Sequence, residues 1–99
     1  MMTVQERFSE DYDMPAHLVS DLVRLALTFG KCNEHASNGD SHPDVKGDKN
    51  AASKRWKQDV NLYGDKIAQL VKPYGFTEVV ATGLGPTLKR GEQFVEIPY

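Results

Sequence analysis

Apolar residues recur at helical spacing in two long stretches of the chain. In the first stretch the repeating residues are Leu18, Leu22, Leu25, Phe29, Cys32 and Ala36. Their separations of three and four residues are the period of an amphipathic helix. Proline suits a first helical position, and glycine suits the residue after a helix end. The pattern therefore predicts a helix from Pro15 to about Ser37, with Asn38-Gly39 as its stop.

The apolar face of this first helix is wider than one helix partner can cover. The residues that widen it are Val19, Val23, Ala26 and Leu27. A helix that is apolar over more than half of its girth needs cover on two sides. We expect one cover to be a second helix and the other to be a sheet or another subunit.

The second periodic stretch lies in the middle of the chain. Its repeating residues are Ala52, Trp56, Val60, Tyr63, Ile67 and Leu70. Asp48 or Asn50 can cap its start, and Pro73 ends it, because a residue before proline is pushed out of the helical region. Residues 38–50 are rich in turn-forming types and predict a loop. We expect the two helices to form an antiparallel hairpin that places Trp56 near the first helix.

After Gly75 the pattern changes to short alternating segments. Residues 76–82 predict a strand, 83–86 a turn, 87–90 a short strand and 92–97 another, with a hairpin turn at Gly91. The residues of the expected inner face are Val79, Ala81, Leu88, Phe94, Val95 and Ile97. The predicted fold class is α+β: an antiparallel two-helix hairpin followed by a small two- or three-stranded antiparallel sheet.

The first thirteen residues are polar and acidic, with Phe8 and Tyr12 as isolated apolar positions. A segment with so little apolar surface predicts a flexible N-terminal arm, anchored at most by the two rings. Residues 14–99 then form a single α+β domain, which fits a chain of 99 residues.

Composition and charge limit the possible classes of protein but indicate no specific function. The formal net charge is -2 and the pI is about 5.9, which argues against a surface that is basic throughout. One cysteine excludes an internal disulfide. The chain has neither the apolar core of a signal peptide near its start nor a run of about 20 apolar residues. We expect a cytoplasmic protein that does not insert into a membrane.

A first candidate site is a zinc site. Cys32 and His35 are three residues apart and share a helix face, and the loop can bring His42 towards them. Sulfur and imidazole are ligands that zinc prefers. A second closely spaced pair of ligands is missing, so the alternative is a buried free cysteine with two solvated histidines. No other cofactor is expected.

A second candidate site is a basic cluster at the start of the second helix. Its members are Lys46, Lys49, Lys54, Arg55 and Lys57. Cations interleaved with Trp56 resemble a nucleic-acid interface. The alternative is a solvated helix face, with the tryptophan in the core and neighbouring aspartates diluting the charge.

The sequence carries no catalytic signature. The glycine-rich stretch 83–91 precedes strands, whereas a phosphate-binding loop needs a following helix N-terminus. A nucleophile elbow and a paired-carboxylate motif are also missing. An enzyme is therefore not the expected class, and a small metal-dependent enzyme at the zinc site is the third hypothesis.

A few short motifs resemble those of small uncharacterised proteins encoded by bacteriophages and prophages. These are Cys32-Asn33, Trp56 on the second helix, Tyr74-Gly75-Phe76, and Gly83 followed by Pro86-Thr87-Leu88. The resemblance implies a phage or bacterial setting, in which small accessory proteins often bind a macromolecule. It assigns no activity to particular residues.

The leading functional hypothesis is a non-enzymatic accessory or regulatory protein that binds another protein or a second copy of itself. Two features support it: the wide apolar face of the first helix, and Leu62, which lies outside the apolar face of the second helix. The apolar residues expected to form a partner surface are Val19, Val23, Leu27 and Leu62. The alternative is a nucleic-acid-binding accessory protein that uses the basic cluster.

Overall fold

The structure is a computed structural model that describes residues 1–82 and 85–99. Its elements in chain order are α1 (Val4–Asp11), α2 (Ala16–Asn38), α3 (Lys49–Val71), a 3₁₀ turn (Lys72–Tyr74), β1 (Glu78–Thr82), β2 (Gly85–Arg90) and β3 (Gln93–Val95). The predicted α+β class is confirmed: a helical hairpin is followed by a three-stranded antiparallel sheet.

The first predicted helix is α2, and its ends follow the predicted signals. Pro15 is the N-terminal cap residue, and Gly39 follows the helix with a φ of 70°. This left-handed conformation suits glycine and lets its N–H bond to the carbonyl of His35. The buried residues of α2 are Val19, Leu22, Ala26, Phe29 and Cys32.

The second predicted helix is α3, which lies antiparallel to α2. Asp48 caps it by accepting a hydrogen bond from the N–H of Asn50 at 2.9 Å. The Phe29 ring packs so closely over Gly64 that a Cβ built there would lie 3.3 Å from a ring carbon. Glycine, a weak helix former, therefore permits the close approach of the two helices at this level.

The sheet has the order β1-β2-β3 and covers one face of the hairpin, with β2 against α2 and β1 against α3. Val79, Leu88 and Val95 are aligned across the strands and face the core. Phe94 was expected on this inner face together with Val95, and that expectation is wrong. Neighbouring strand residues point to opposite faces, so Phe94 is on the outer face and 59% exposed.

The predicted turn at residues 83–86 lies partly outside the described residues, which omit Gly83 and Leu84. Gly85 and Pro86 begin β2 instead of ending a turn. Pro86 is buried, and it pairs in register with Ala81 of β1.

The N-terminal segment contains a helix that the sequence analysis did not predict. Thr3 forms a capping box with Glu6, in which each side chain accepts a hydrogen bond from the other residue's N–H. Phe8 is buried and stacks on Phe76 with a centroid separation of 6.3 Å, and Tyr12 contacts both rings. The two rings that were expected to anchor an arm therefore dock a helix.

Among the described residues, one cluster of buried side chains joins the helices to the sheet. Its largest fully buried side chains are Met14, Leu22, Ile67, Leu88, Val19 and Val71. Within the described part of the chain, no helix is both long enough and apolar enough to cross a membrane.

Candidate functional sites

A cluster of polar aromatic rings closes one end of the helical hairpin. The Trp56 ring stacks on His35 at a centroid distance of 4.5 Å and contacts His42 at 4.2 Å. The indole N–H is shared between the carbonyl oxygens of Asp40 at 3.2 Å and Ser41 at 3.3 Å. Trp56 thus connects the loop after α2 to α3. Its side chain is half-buried, whereas the sequence placed it in the core.

The hydrogen bonds of His42 define the tautomer of its ring. The N–H of Asp44 can only donate, so Nδ1 of His42, 3.0 Å away, must be an acceptor. The ring proton therefore lies on Nε2, which donates to Oδ2 of Asp59 at 2.8 Å. Both ring nitrogens are engaged, and the residue is buried. This arrangement makes His42 a structural element of the loop.

The three predicted zinc ligands do not form an open ligand set. His42 has no free nitrogen, and Nδ1 of His35 lies 2.9 Å from Oδ2 of Asp40. Burial and, secondarily, the nearby Asp59 carboxylate raise the pKa of the Cys32 thiol. The thiolate that zinc binds is thereby disfavoured. In the described ranges, no group of three or more His, Cys, Asp or Glu residues is placed to hold a metal ion.

The predicted basic cluster divides into two parts. Arg55 lies 3.7 Å from both Asp44 and Asp59, so its charge is partly compensated within the protein. The lysines of the cluster are exposed, as Arg55 is: Lys46, Lys49, Lys54 and Lys57. Trp56 is engaged by two histidine rings and is not presented to solvent as a stacking surface.

The four residues expected to form a partner surface do not form one surface. Val19 is 1% exposed and belongs to the core, and Val23 packs against the core while partly buried. Leu27 and Leu62 are about half exposed, at 51% and 49%. At 100° per residue Leu27 lies about 160° around α2 from Leu25, which lines the groove between the two helices. Leu27 therefore faces away from α3, the helix that carries Leu62.

A different surface is open between α3 and the edge of the sheet. In the sheet order β1 is an edge strand, and no other described strand pairs with its free side. A cavity of about 410 Å³ separates this edge from α3. The cavity is lined by Phe29, Val60, Asn61, Gly64, Asp65, Ala68, Thr77, Glu78, Val79 and Ala81. We call this cavity and its continuation the edge groove.

The edge groove continues past the C-terminal end of α3. A second cavity, of about 510 Å³, shares Ala68 and Thr77 with the first and extends to Lys72 and Phe76. Ala68, one helical turn after Gly64, lines both cavities, and its small side chain leaves the middle of the groove open.

The rim of the edge groove is acidic in its middle. Asp65 is exposed on α3, and the Glu78 carboxylate on β1 is 3.9 Å from the Lys89 ammonium. Lys72 lies at the far end. This site could not be predicted from the sequence, because it depends on which strand lies at the edge of the sheet. The only local indication of it was Gly64, since glycine is unfavourable inside a helix.

No family model, curated protein or solved structure matches this chain. A function is therefore inferred from the edge groove, from the exposed lysines and from the cluster of His35, His42 and Trp56, which we call the loop cluster.

Proposed function

We propose that this chain is a non-enzymatic protein-binding module that works through the edge groove. The observation that carries the proposal is the free edge of β1 beside an apolar cavity. An edge strand presents backbone N–H and C=O groups that are not used within its own sheet. Concave apolar surfaces with a few polar groups on the rim are the usual places of binding.

The loop cluster supports a non-enzymatic protein, because its polar groups are already used within the chain. Its histidine and tryptophan hydrogen bonds are used internally, and the raised pKa of Cys32 keeps the thiol protonated at neutral pH. Nucleophilic catalysis by cysteine depends on the thiolate. The cluster is thus suited to holding the loop against α3, and the binding role falls to the groove.

The test is capture of a partner from a bacterial lysate with tagged protein and an Ala68→Phe variant. Ala68 lines both cavities, so a phenyl ring there fills the groove. We expect at least about a tenfold loss of captured partner, equivalent to ~1.4 kcal/mol of binding free energy. Ala51→Phe, at the start of the same helix, is the matched control and should capture as much as the parent protein. Equal capture by Ala68→Phe and the parent would reject the groove.

A nucleic-acid interface is the second candidate, and the exposure of the four lysines of the basic cluster favours it. Nuclease treatment of the lysate separates the two candidates. A partner retained after nuclease supports protein binding. Material that is lost with nuclease, and also lost at raised salt, supports the lysines, because phosphate contacts weaken steeply with salt. We also propose that the protein is cytoplasmic and of phage or bacterial origin.

A further inference from the structure

We infer that the edge groove takes an extended peptide segment, which adds to β1 as a fourth strand and carries a lysine or arginine. This inference rests on the proposed function and names its partner. In strand addition, main-chain hydrogen bonds to the sheet edge give affinity, and alternate side chains enter pockets and give specificity.

The dimensions of the groove fit an extended segment. β1 has five residues, which span about 17 Å at the rise of a strand. The α3 wall runs from Val60 to Lys72, which corresponds to about 18 Å at the helical rise. Five or six extended residues therefore match both walls, whereas a helix about 10 Å wide would have to sit above the groove.

The composition of the groove sets the pattern of the segment. The floor is apolar, with Phe29, Val60 and Val79 at its base. Strand side chains alternate between faces, so every second residue of the segment would contact this floor. Small or branched apolar side chains fit above Ala68.

The charge on the rim sets the sign of the partner. Asp65 makes no ion pair with another described side chain, and Glu78 is held only loosely by Lys89 at 3.9 Å. A cation in the middle of the segment would be attracted by the Asp65 carboxylate, whereas an anion would be repelled. The Glu78 side chain is on the other face of the sheet, because it neighbours the inward-facing Val79. Complementary charges of this kind fix register and select partners.

The two edges of the sheet differ in how they are protected. Protected edge strands are short, or carry lysine or proline. β3 has three residues and is followed by Glu96 and Pro98. β1 is longer, has no proline and carries a charge only at its first residue, Glu78. The β1 edge is thus the less protected of the two, and it lies beside the groove.

The test is selection of binders from a displayed library of random octapeptides, with counter-selection on the Ala68→Phe variant. We expect enriched peptides with apolar residues at alternate positions and a central lysine or arginine. For one such peptide, labelled with fluorescein, Asp65→Lys should weaken binding about fivefold. Glu34→Lys, an exposed charge reversal on α2, should leave the affinity unchanged. Replacing the peptide's cation with glutamate should weaken binding to the parent protein and restore binding to Asp65→Lys.

Three results of the peptide selection would overturn the inference. They are enrichment of no sequence, enrichment of peptides with a helical repeat, and binding that Ala68→Phe leaves intact. A concentration-dependent dimer that Ala68→Phe abolishes would instead place a second copy in the groove, and would also overturn it. Partner capture that Ala68→Phe abolishes, without any enriched extended peptide, would reject strand addition while retaining the proposed function.

Discussion

At the scale of the residue, one buried imidazole organises the loop between the helices. His42 accepts from the N–H of Asp44 and donates to Asp59, so neither ring nitrogen is left without a partner. A buried polar group without its partner costs about 1–3 kcal/mol. The sequence shows a histidine between turn residues, but the partner Asp59 is seventeen positions away. The pairing therefore could not be predicted from local spacing.

Asp59→Ala should lower the free energy of unfolding by about 2 kcal/mol, because it leaves the Nε2–H of buried His42 without an acceptor. Urea denaturation followed by circular dichroism measures this change. Asp65→Ala, at an exposed position of the same helix, is the control and should change stability by less than about 0.5 kcal/mol. Equal small effects of both substitutions would show that the Asp59 contact does not hold the loop.

At the scale of the element, the sequence predicted α2, α3 and the sheet because their apolar periods are long or strictly alternating. α1 was not predicted, because eight residues with one buried side chain carry no periodic signal. Its position is set by tertiary contacts: the Phe8 ring packs on Phe76, which lies after α3. Phe94 was misplaced because adjacent Phe94 and Val95 offered two opposite registers, and only the alignment with Leu88 decides between them.

Phe8→Ala should destabilise the protein by about 3 kcal/mol, since it removes the one buried side chain of α1 and leaves a cavity beside Phe76. The midpoint of urea denaturation reports the loss. The matched control is Val4→Ala on the same helix, where the side chain is 64% exposed and little change is expected. If both variants unfold at the same denaturant concentration, residues 1–13 behave as the flexible arm that the sequence suggested.

At the scale of the whole molecule, the hairpin and the sheet enclose a core and leave the edge groove open between α3 and β1. The sequence could predict that a sheet covers α2, but not which strand would lie at the edge. That order depends on β2 packing against α2 while β1 lies beside α3. The half-exposed Leu62, expected in a partner surface, and Asn61, in the groove, are adjacent in the sequence yet occupy different faces of α3.

This adjacency gives the most direct measurement of the central claim, which is that partners bind in the edge groove. A photo-crosslinking amino acid is placed at position 61 in one variant and at position 62 in another, and each protein is irradiated in a bacterial lysate. Both original side chains are exposed, so neither substitution disturbs the core. We predict a discrete crosslinked protein at position 61 and none at position 62. A crosslink at position 62 without one at position 61 would contradict binding in the edge groove and would place the interface on the helix face that carries Leu62.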